Sequence, residues 1–346
     1  MARPTKKLGE VLEYEQPTNY LVSSTDYKEE YLIPVLTAGK SFILGNTNEK
    51  DGIFPKEKLP VIIFDDFTTA IKFVDFPFKV KSSAMKILHA KKNEADIRFL
   101  FYKMLTIKFS HNQHKRYWIS ECSNLEISLP PLTIQKQIVE RLDKIAEAQK
   151  LNDELIQKSD ELFQSLLYQE LNPAGKKWEV KKLKEILSNE KYFVGKLKRE
   201  GYQKSGTYPI IDQSVNEIAG YSENKKVVYS GKLPVVIYGD HTRIVKFVER
   251  KFILGADGTK ILIPKDEVLA KYLYFVIQLF NVESHGYKRH FPILKEIKIP
   301  IPPFQTQKQI AANLSAVQDY KTQLLVQKSK LKELFDSALH KSMSNK

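Results

Sequence analysis

PPLTIQKQI at residues 130–138 returns as PPFQTQKQI at residues 302–310, an offset of 310 − 138 = 172 residues. The flanking sequence repeats as well, because residues 64–74 (FDDFTTAIKFV) align without gaps with residues 238–248 (YGDHTRIVKFV), an offset of 238 − 64 = 174. The chain is therefore a tandem duplication, and each copy is predicted to be one globular segment followed by one long helix. Two copies are too few for a solenoid.

The composition fits a soluble protein with two cores. A chain of 346 residues with 42% hydrophobic content can form two domains of ordinary size. Cys122 is the one cysteine, which excludes an internal disulfide and fits a reducing compartment. The first residues lack the apolar stretch of a signal peptide, and no apolar run approaches the roughly 20 residues of a membrane span. The sequence predicts a cytoplasmic location and no membrane partner.

The positive charge lies in the second half of the chain. The net charge is +14, and counting gives 24 Lys/Arg against 24 Asp/Glu in residues 1–171 but 31 against 17 in residues 172–346. A basic surplus is typical of proteins that bind polyanions, because lysine and arginine release counterions from phosphates. Two similar units also suit a ligand with a dyad, and duplex DNA is the commonest one. The alternative is a lysine-rich surface that serves solubility alone.

Short apolar runs between turn residues predict strands in each copy. In the first copy the predicted strands are residues 31–36, 41–44, 61–64 and 70–74, and a helix is predicted over 97–109. In the second copy they are 208–211, 226–229, 235–238 and 244–248, with a helix over 269–280. The predicted fold class is α+β: two similar mixed α/β domains with pseudo-twofold symmetry, residues 1–132 and 172–303, separated by two long helices, 133–171 and 304–346.

A heptad pattern follows each proline pair and predicts that the two helices pack antiparallel as a coiled coil. Polar Gln149, Asn152 and Ser159 interrupt its apolar positions in the first helix. The alternative is that both are core helices of one compact domain. The residues predicted to form the helix–helix interface are Ile138, Leu142, Ile145, Leu155, Leu162, Leu166, Ile310, Leu314, Val317, Leu324, Leu331 and Leu334.

No catalytic motif stands out. Residues 301–304 (IPPF) resemble the signature of amino-methyltransferases, but Ile301 lacks the amide or carboxylate that would hold the target amine. His111 and His114 have no further ligand at a zinc spacing, and Glu179 with Lys181 lacks the preceding strand of a nuclease site. Dinucleotide-binding and phosphate-binding glycine loops are absent. The sequence predicts no enzyme activity, no metal and no cofactor.

Binding residues are predicted from the alignment of the two copies. Asp66 and Asp240 agree and are expected to order a turn through backbone amides. Lysine and threonine suit phosphate contacts, whereas Arg243 could pair with a guanine edge. For each residue, a solvated surface position is the alternative. The predicted DNA-binding residues are Phe67, Thr68, Thr69, Lys72, Lys115 and Arg116 in the first copy, and His241, Thr242, Arg243, Lys246, Lys288 and Arg289 in the second.

These features together resemble the DNA-specificity subunit of type I restriction-modification systems. The resemblance rests on residues 64–74, on residues 238–243 with 255–259 (GADGT), and on both proline-led helix starts. It implies that two target-recognition domains each read half of a bipartite site in double-stranded DNA and that the helices set the spacer. It also implies two modification subunits and restriction subunits as partners. The first copy departs from the pattern, with Lys81–Ala84 (KSSA) in place of the GADG turn.

The sequence thus predicts a non-catalytic DNA-recognition and scaffold protein. The resemblance leaves open a specificity subunit of a bifunctional system that both cleaves and methylates. A stand-alone methyltransferase or nuclease, and a protein that only occupies modification subunits, are the alternatives from other classes. The missing motifs argue against the first of these, and the basic second half argues against the second.

Overall fold

The computed structural model describes residues 4–37, 42–91, 94–108, 117–190, 192–193, 195–255, 258–283, 286 and 288–344. It contains two compact units. The first unit comprises Met1–Asp153 and Gln327–Lys346, and the second unit comprises Glu154–Val326. Each unit therefore combines one globular segment with a part of each long helix.

The first copy folds into short strands and helices ahead of its long helix. The strands are β1 (Thr5–Lys7), β2 (Leu12–Glu15), β3 (Ile33–Leu36), β4 (Ile43–Thr47), β5 (Val61–Asp65), β6 (Ile71–Val74), β7 (Lys79–Val80), β8 (Met85–Ala90) and β9 (Glu126–Ser128). The helices are α1 (Leu8–Val11), α2 (Ile97–Leu105), α3 (Tyr117–Ser120) and α4 (Leu132–Leu171).

The second copy repeats this order. Its strands are β10 (Glu179–Lys182), β11 (Lys196–Leu197), β12 (Tyr208–Ile211), β13 (Gly220–Ser222), β14 (Val235–Gly239), β15 (Val245–Val248), β16 (Ile253–Gly255), β17 (Thr259–Leu262) and β18 (Lys298–Ile301). Its helices are α5 (Leu183–Ile186), α6 (Ala270–Leu279), α7 (Phe291–Leu294) and α8 (Phe304–Met343).

Strand pairing confirms that the copies share one mixed α/β fold. In the first unit β5 lies between β6 and β8, and in the second unit β14 lies between β15 and β17, all antiparallel. A second sheet places β3 between antiparallel β4 and parallel β7, and β12 between antiparallel β13 and parallel β16. The strand before each long helix pairs with the first strand of its copy, β9 with β1 and β18 with β10.

Two predicted elements differ in the structure: one helix ends earlier than predicted, and one predicted strand does not form. Helix α2 ends at Leu105, because the Thr106 hydroxyl donates to the Lys103 carbonyl over 2.7 Å and closes the last turn. The predicted helix extends to Phe109, which lies outside the described residues. The apolar run at 226–229 forms no strand, because the Asn224 side chain accepts from the Lys226 amide over 3.1 Å and starts a 3₁₀ turn.

A buried glutamine from each proline-led motif fastens the long helix to its own globular segment. Gln307 accepts a hydrogen bond from the Leu269 amide over 2.8 Å, at the start of α6, and its amide donates to the carbonyl oxygens of Glu267 and Pro302. In the first unit, Gln135 accepts a hydrogen bond from the Asp96 amide, just before α2, over 2.8 Å, and its own amide donates to the Pro130 carbonyl. The motif thus specifies a clamp as well as a helix start.

The two long helices pack antiparallel in each unit. In the first unit, the Gln149 amide donates to the Leu331 carbonyl over 3.2 Å, and Lys328 forms an ion pair with Asp153 at 2.9 Å. In the second unit, Asp160 of α4 forms an ion pair with Lys321 of α8, and the Asn313 side chain of α8 donates to the Glu170 carboxylate of α4. Contact positions rise along α4 as they fall along α8, which is the antiparallel arrangement that the heptads predict.

The buried seam contains polar residues that interrupt the heptads, and three of the leucines predicted for the interface are exposed. Leu142, Ile310, Leu314 and Leu324 are buried, and Ile138, Ile145, Leu166, Val317 and Leu331 are partly buried, whereas Leu155, Leu162 and Leu334 are 41%, 50% and 49% exposed. Asn152 and Ser159, two of the polar residues that interrupt the heptads, are buried. Because the residue three positions later is turned by about 60° around a helix, Leu155 and Leu162 lie beside the seam rather than in it.

Among the residues that the structure describes, no helix combines the length and the hydropathy needed to cross a lipid bilayer.

The glutamine clamp gives a stability prediction. Gln307→Ala should lower the free energy of unfolding by about 1–3 kcal/mol, because it leaves buried backbone groups without hydrogen-bond partners. Gln309→Ala is the matched control, since exposed Gln309 bonds only to Asn313 one turn later, a pair that contributes roughly 0.2–0.5 kcal/mol. Urea unfolding of the full chain, followed by circular dichroism, measures both. Equal losses in the two variants would contradict the clamp.

Candidate nucleic-acid interface

Both copies place a four-residue turn between two antiparallel strands. The first turn (residues 66–69) joins β5 to β6, and the second turn (residues 240–243) joins β14 to β15. The last amide of each turn donates to the carbonyl of the residue before the turn, over 2.9 Å in the first unit and 2.7 Å in the second. The duplication has therefore preserved the backbone of the turn.

The last residue of each turn has a left-handed backbone. Thr69 has φ 57° and Arg243 has φ 62°. This conformation costs a residue other than glycine roughly 1–2 kcal/mol, and it is rare for a β-branched residue such as threonine. Strain of this kind persists only where the surrounding structure holds it, and it is concentrated at functional sites. Its presence in both copies makes the two turns the candidate binding site.

The first turn is braced by the aspartate that precedes it. Asp65 accepts hydrogen bonds from the Phe67 amide and from the Thr68 hydroxyl, each over 2.8 Å. Thr69 is buried, whereas Phe67 is 54% exposed and Thr68 is exposed. The turn thus presents an aromatic ring and a hydroxyl to solvent from a fixed backbone.

The second turn is braced by a neighbouring loop. The Thr242 hydroxyl donates to the Gln213 carbonyl over 2.7 Å, and the Gln213 side chain accepts from the His241 amide over 3.2 Å. Gly239 stands where the first copy has an aspartate, and a Cβ there would lie 2.3 Å from the Thr242 hydroxyl. Bracing by the loop therefore requires glycine at this position.

Arg243 is tied to the protein backbone. Its guanidinium donates through Nη1 to the Val282 carbonyl over 3.0 Å, and its own carbonyl accepts from the Asn281 side chain over 2.8 Å. The side chain is half-buried. The sequence predicts that Arg243 reads a guanine edge. In the structure, its guanidinium holds the turn against the segment after α6.

A buried aspartate begins each turn and anchors a remote helix. Asp66 accepts from the Trp118 amide over 2.8 Å, and Asp240 accepts from the Phe291 amide over 2.8 Å. As expected from the sequence, the carboxylates bond to backbone amides, but to those at the starts of α3 and α7 rather than those of the turn. Asp66 also forms an ion pair at 3.5 Å with Lys86, and both side chains are buried.

The two lysines that the repeat aligns have different surroundings. Lys72 is exposed, and its ammonium lies 5.8 Å from the centre of the Phe42 ring. Lys246 is only 7% exposed, donates to the Asn216 carbonyl over 2.6 Å and lies 3.8 Å from Asp212. The Lys246 ammonium is enclosed and already bonded, which argues against the phosphate contact that the sequence predicts.

The second predicted basic cluster is described in one copy only. Lys288 and Arg289 are exposed in the second unit, whereas Lys115 and Arg116 lie outside the described residues. The aromatic residues that follow the two basic pairs are buried, with Tyr117 3% exposed and His290 0% exposed. The basic side chains are thus available to a ligand, and the neighbouring rings belong to the core.

Sequence reasoning missed Asp65, Gln213 and Asn281, which shape the turns without lying at their tips. The aspartate pair at residues 65–66 was visible as a turn signal, but the other two residues are far from the turns in sequence. Among the described residues, no cluster of three His, Cys, Asp or Glu side chains could hold a metal ion. The arrangement offers preorganised contacts for a ligand.

The buried aspartates are predicted to differ in their contribution to stability. Asp66→Ala should cost about 3–5 kcal/mol, because it leaves the buried Lys86 ammonium without its counter-charge. Asp240→Ala should cost about 1–3 kcal/mol, the loss of a hydrogen-bond acceptor, because its partner Lys260 is 4.0 Å away and 40% exposed. Chemical denaturation of both variants beside the parent chain measures the difference. A cost for Asp240→Ala equal to or above that for Asp66→Ala would refute this assignment.

Comparisons with known proteins agree with these features. The model of the type I restriction modification DNA specificity domain matches twice, over residues 4–158 and 175–334. The specificity subunit of the Escherichia coli type I restriction enzymes EcoR124I/EcoR124II is 37% identical over 351 residues, which cover 88% of this chain and 83% of that protein.

Solved structures share the fold. The S subunit of a type I restriction-modification system from M. genitalium superposes with a TM-score of 0.71 at 15% identity, covering 99% of this chain and 96% of that one. A chain from a structural study of the assembly and conformational transition of the type I system gives a TM-score of 0.55 at 18% identity, covering 99% and 97%. With both halves matched by the family model, this chain belongs to the family of type I restriction-modification DNA specificity subunits.

Proposed function

We propose that the chain reads a bipartite sequence in double-stranded DNA, one half-site with each turn, while α4 and α8 set the spacing of the half-sites. The observation that carries the proposal is the matched pair of strained turns whose tips differ, Phe67 in one and His241 in the other. A shared backbone with different tips suits two domains that dock alike and read different bases.

The proposed DNA contacts are those predicted residues that lie at the tips of the turns or carry an exposed positive charge. Tip residues would reach base edges, and exposed cations would contact phosphates. Thr69 and Arg243 are assigned to holding the turns, and Lys246 is assigned to holding the segment at Asn216. The contact residues are Phe67, Thr68 and Lys72 in the first unit and His241, Thr242, Lys288 and Arg289 in the second, with Lys115 and Arg116 added from the sequence alone.

The proposed complex contains two modification subunits, which methylate the site, and restriction subunits, and we place it in the cytoplasm. Exposed apolar side chains on the helices of the second unit support the docking of a modification subunit. Leu155 and Leu162 lie seven residues apart on one face of α4, and Leu325 and Val326 on α8 are 49% and 52% exposed. Apolar faces left open on paired helices are suited to a further helix.

Exchange of the tip residues tests the reading of half-sites. Phe67→His should change the preferred base in one half-site, and His241→Phe should change it in the other, at a cost of about 1–3 kcal/mol on the original sequence. The measurement is selection of preferred sites from random DNA by the chain assembled with modification subunits. Phe304→His is the control, an exposed phenylalanine at the start of α8 whose replacement should leave both half-sites unchanged. Altered preference in both half-sites from either exchange would overturn the proposal.

The docking surface is tested with charge. Leu155→Glu combined with Leu162→Glu should abolish co-purification with the modification subunit, because two carboxylates replace apolar contact area. The exposed residues Gln157 and Gln164 lie about 200° further around the helix, so Gln157→Glu with Gln164→Glu adds the same charge elsewhere. This control pair should assemble normally, and circular dichroism should show that both variants fold. Normal assembly of the leucine variant would exclude this surface.

A further inference from the structure

Among the large apolar side chains of the second unit's described residues, the most exposed lies in the loop between β12 and β13. Val215 is 85% exposed, next to the second turn in space. Single exposed apolar residues are ordinary, so exposure alone indicates nothing. What distinguishes this loop is that its backbone is fixed from two sides.

The second turn fixes the loop at Gln213. The Gln213 carbonyl accepts from the Thr242 hydroxyl, and its side chain accepts from the His241 amide. Gly258 closes the other side, because a Cβ at this left-handed glycine would lie 2.9 Å from the Gln213 amide nitrogen. The turn that presents His241 and the loop that presents Val215 therefore form one rigid element.

Lys246 fixes the same loop at Asn216. Its ammonium donates to the Asn216 carbonyl over 2.6 Å and lies 3.8 Å from Asp212, so it joins both ends of the segment that holds Val215. Burial lowers the pKa of Lys246, and the charges of Asp212 and Glu217 act in the opposite direction. A buried cation is costly, and here its hydrogen bond serves to hold one loop in place.

We propose that Val215 is a specificity-determining residue of the second unit that packs against the C5 methyl group of a thymine, and that Lys246 is its positioning residue. The inference rests on the proposed DNA-reading function and adds a second reading element to it. Valine has neither donor nor acceptor, and the thymine methyl is the apolar group that base pairs present in the major groove. Side chains that wedge between bases in the minor groove are typically Phe, Leu, Ile, Met or Pro, which argues against that role for valine.

Uracil tests the contact, because it differs from thymine only by the missing methyl group. The assembled complex is bound to its selected site with each thymine of the second unit's half-site replaced in turn by uracil. The parent should lose about fourfold in affinity at one position, since a buried methyl group contributes about 0.8 kcal/mol. Val215→Ala should lose a similar factor on thymine DNA and show no further loss with uracil at that position.

Two further variants separate positioning from other roles. Val180→Ala alters another exposed valine, 49% exposed on β10 of the same unit, and should keep the full response to uracil. Lys246→Met should reduce the response to uracil while leaving the salt dependence of binding unchanged, whereas loss of a phosphate contact would lower the salt slope by about one. A Lys246→Met complex with a reduced salt slope would overturn the positioning role.

The outcomes distinguish this inference from the proposed function. A parent complex that selects no bipartite site would overturn the proposed function. A parent that selects its site, while Val215→Ala responds to every uracil as the parent does, would overturn the inference alone. A second half-site without thymine on either strand would overturn it as well.

Discussion

The hydrogen bonds of two buried glutamine amides, Gln135 and Gln307, hold each globular segment to the helix that follows it. Each amide satisfies a backbone donor at the start of one helix and a carbonyl at the start of the long helix, so its hydrogen bonds fix the angle between these two elements. A buried amide is well suited to this task, because an unsatisfied backbone group in the same place would be costly. The position of each turn relative to its long helix depends on this contact.

Buried charge is used in the same way at the candidate site. Asp66 and Lys86 are buried as an ion pair, and Asp66 also accepts from a backbone amide. Lys246 is buried beside the partly buried Asp212 and donates to a backbone carbonyl. Ion pairs of this kind contribute little net stability compared with apolar packing, but they impose one geometry. The side chains left for a ligand are those at the tips and edges, which is the division of labour expected of a recognition surface rather than of a reaction centre.

Much of the fold could be predicted, because duplication displays each element twice. The turns at residues 66–69 and 240–243 were located by the gapless alignment, and both helix starts by the proline pairs. Burial at aligned positions could not be predicted. Lys72 and Lys246 occupy the same strand position, and only contacts made by the loop over Lys246 decide that it is enclosed. The heptads likewise identified the long helices and the polar interruptions at Asn152 and Ser159, but they also assigned Leu155 and Leu162 to the seam, and these leucines lie three positions further along the helix and beside it.

The bracing of the two turns differs in its consequence for how this protein can evolve. In the first turn the brace is Asp65, the residue just before the turn, so neighbouring positions can vary singly while the backbone keeps its shape. In the second turn the brace is Gln213, on a separate loop, and Gly239 is required to admit it. Because the Thr242 hydroxyl bonds to the backbone carbonyl of Gln213, the brace depends on the backbone path of that loop. In the second half of this duplicated chain, insertions and deletions in the loop between β12 and β13 would disturb the turn that this loop braces, whereas the brace of the first turn lies within one short stretch of sequence.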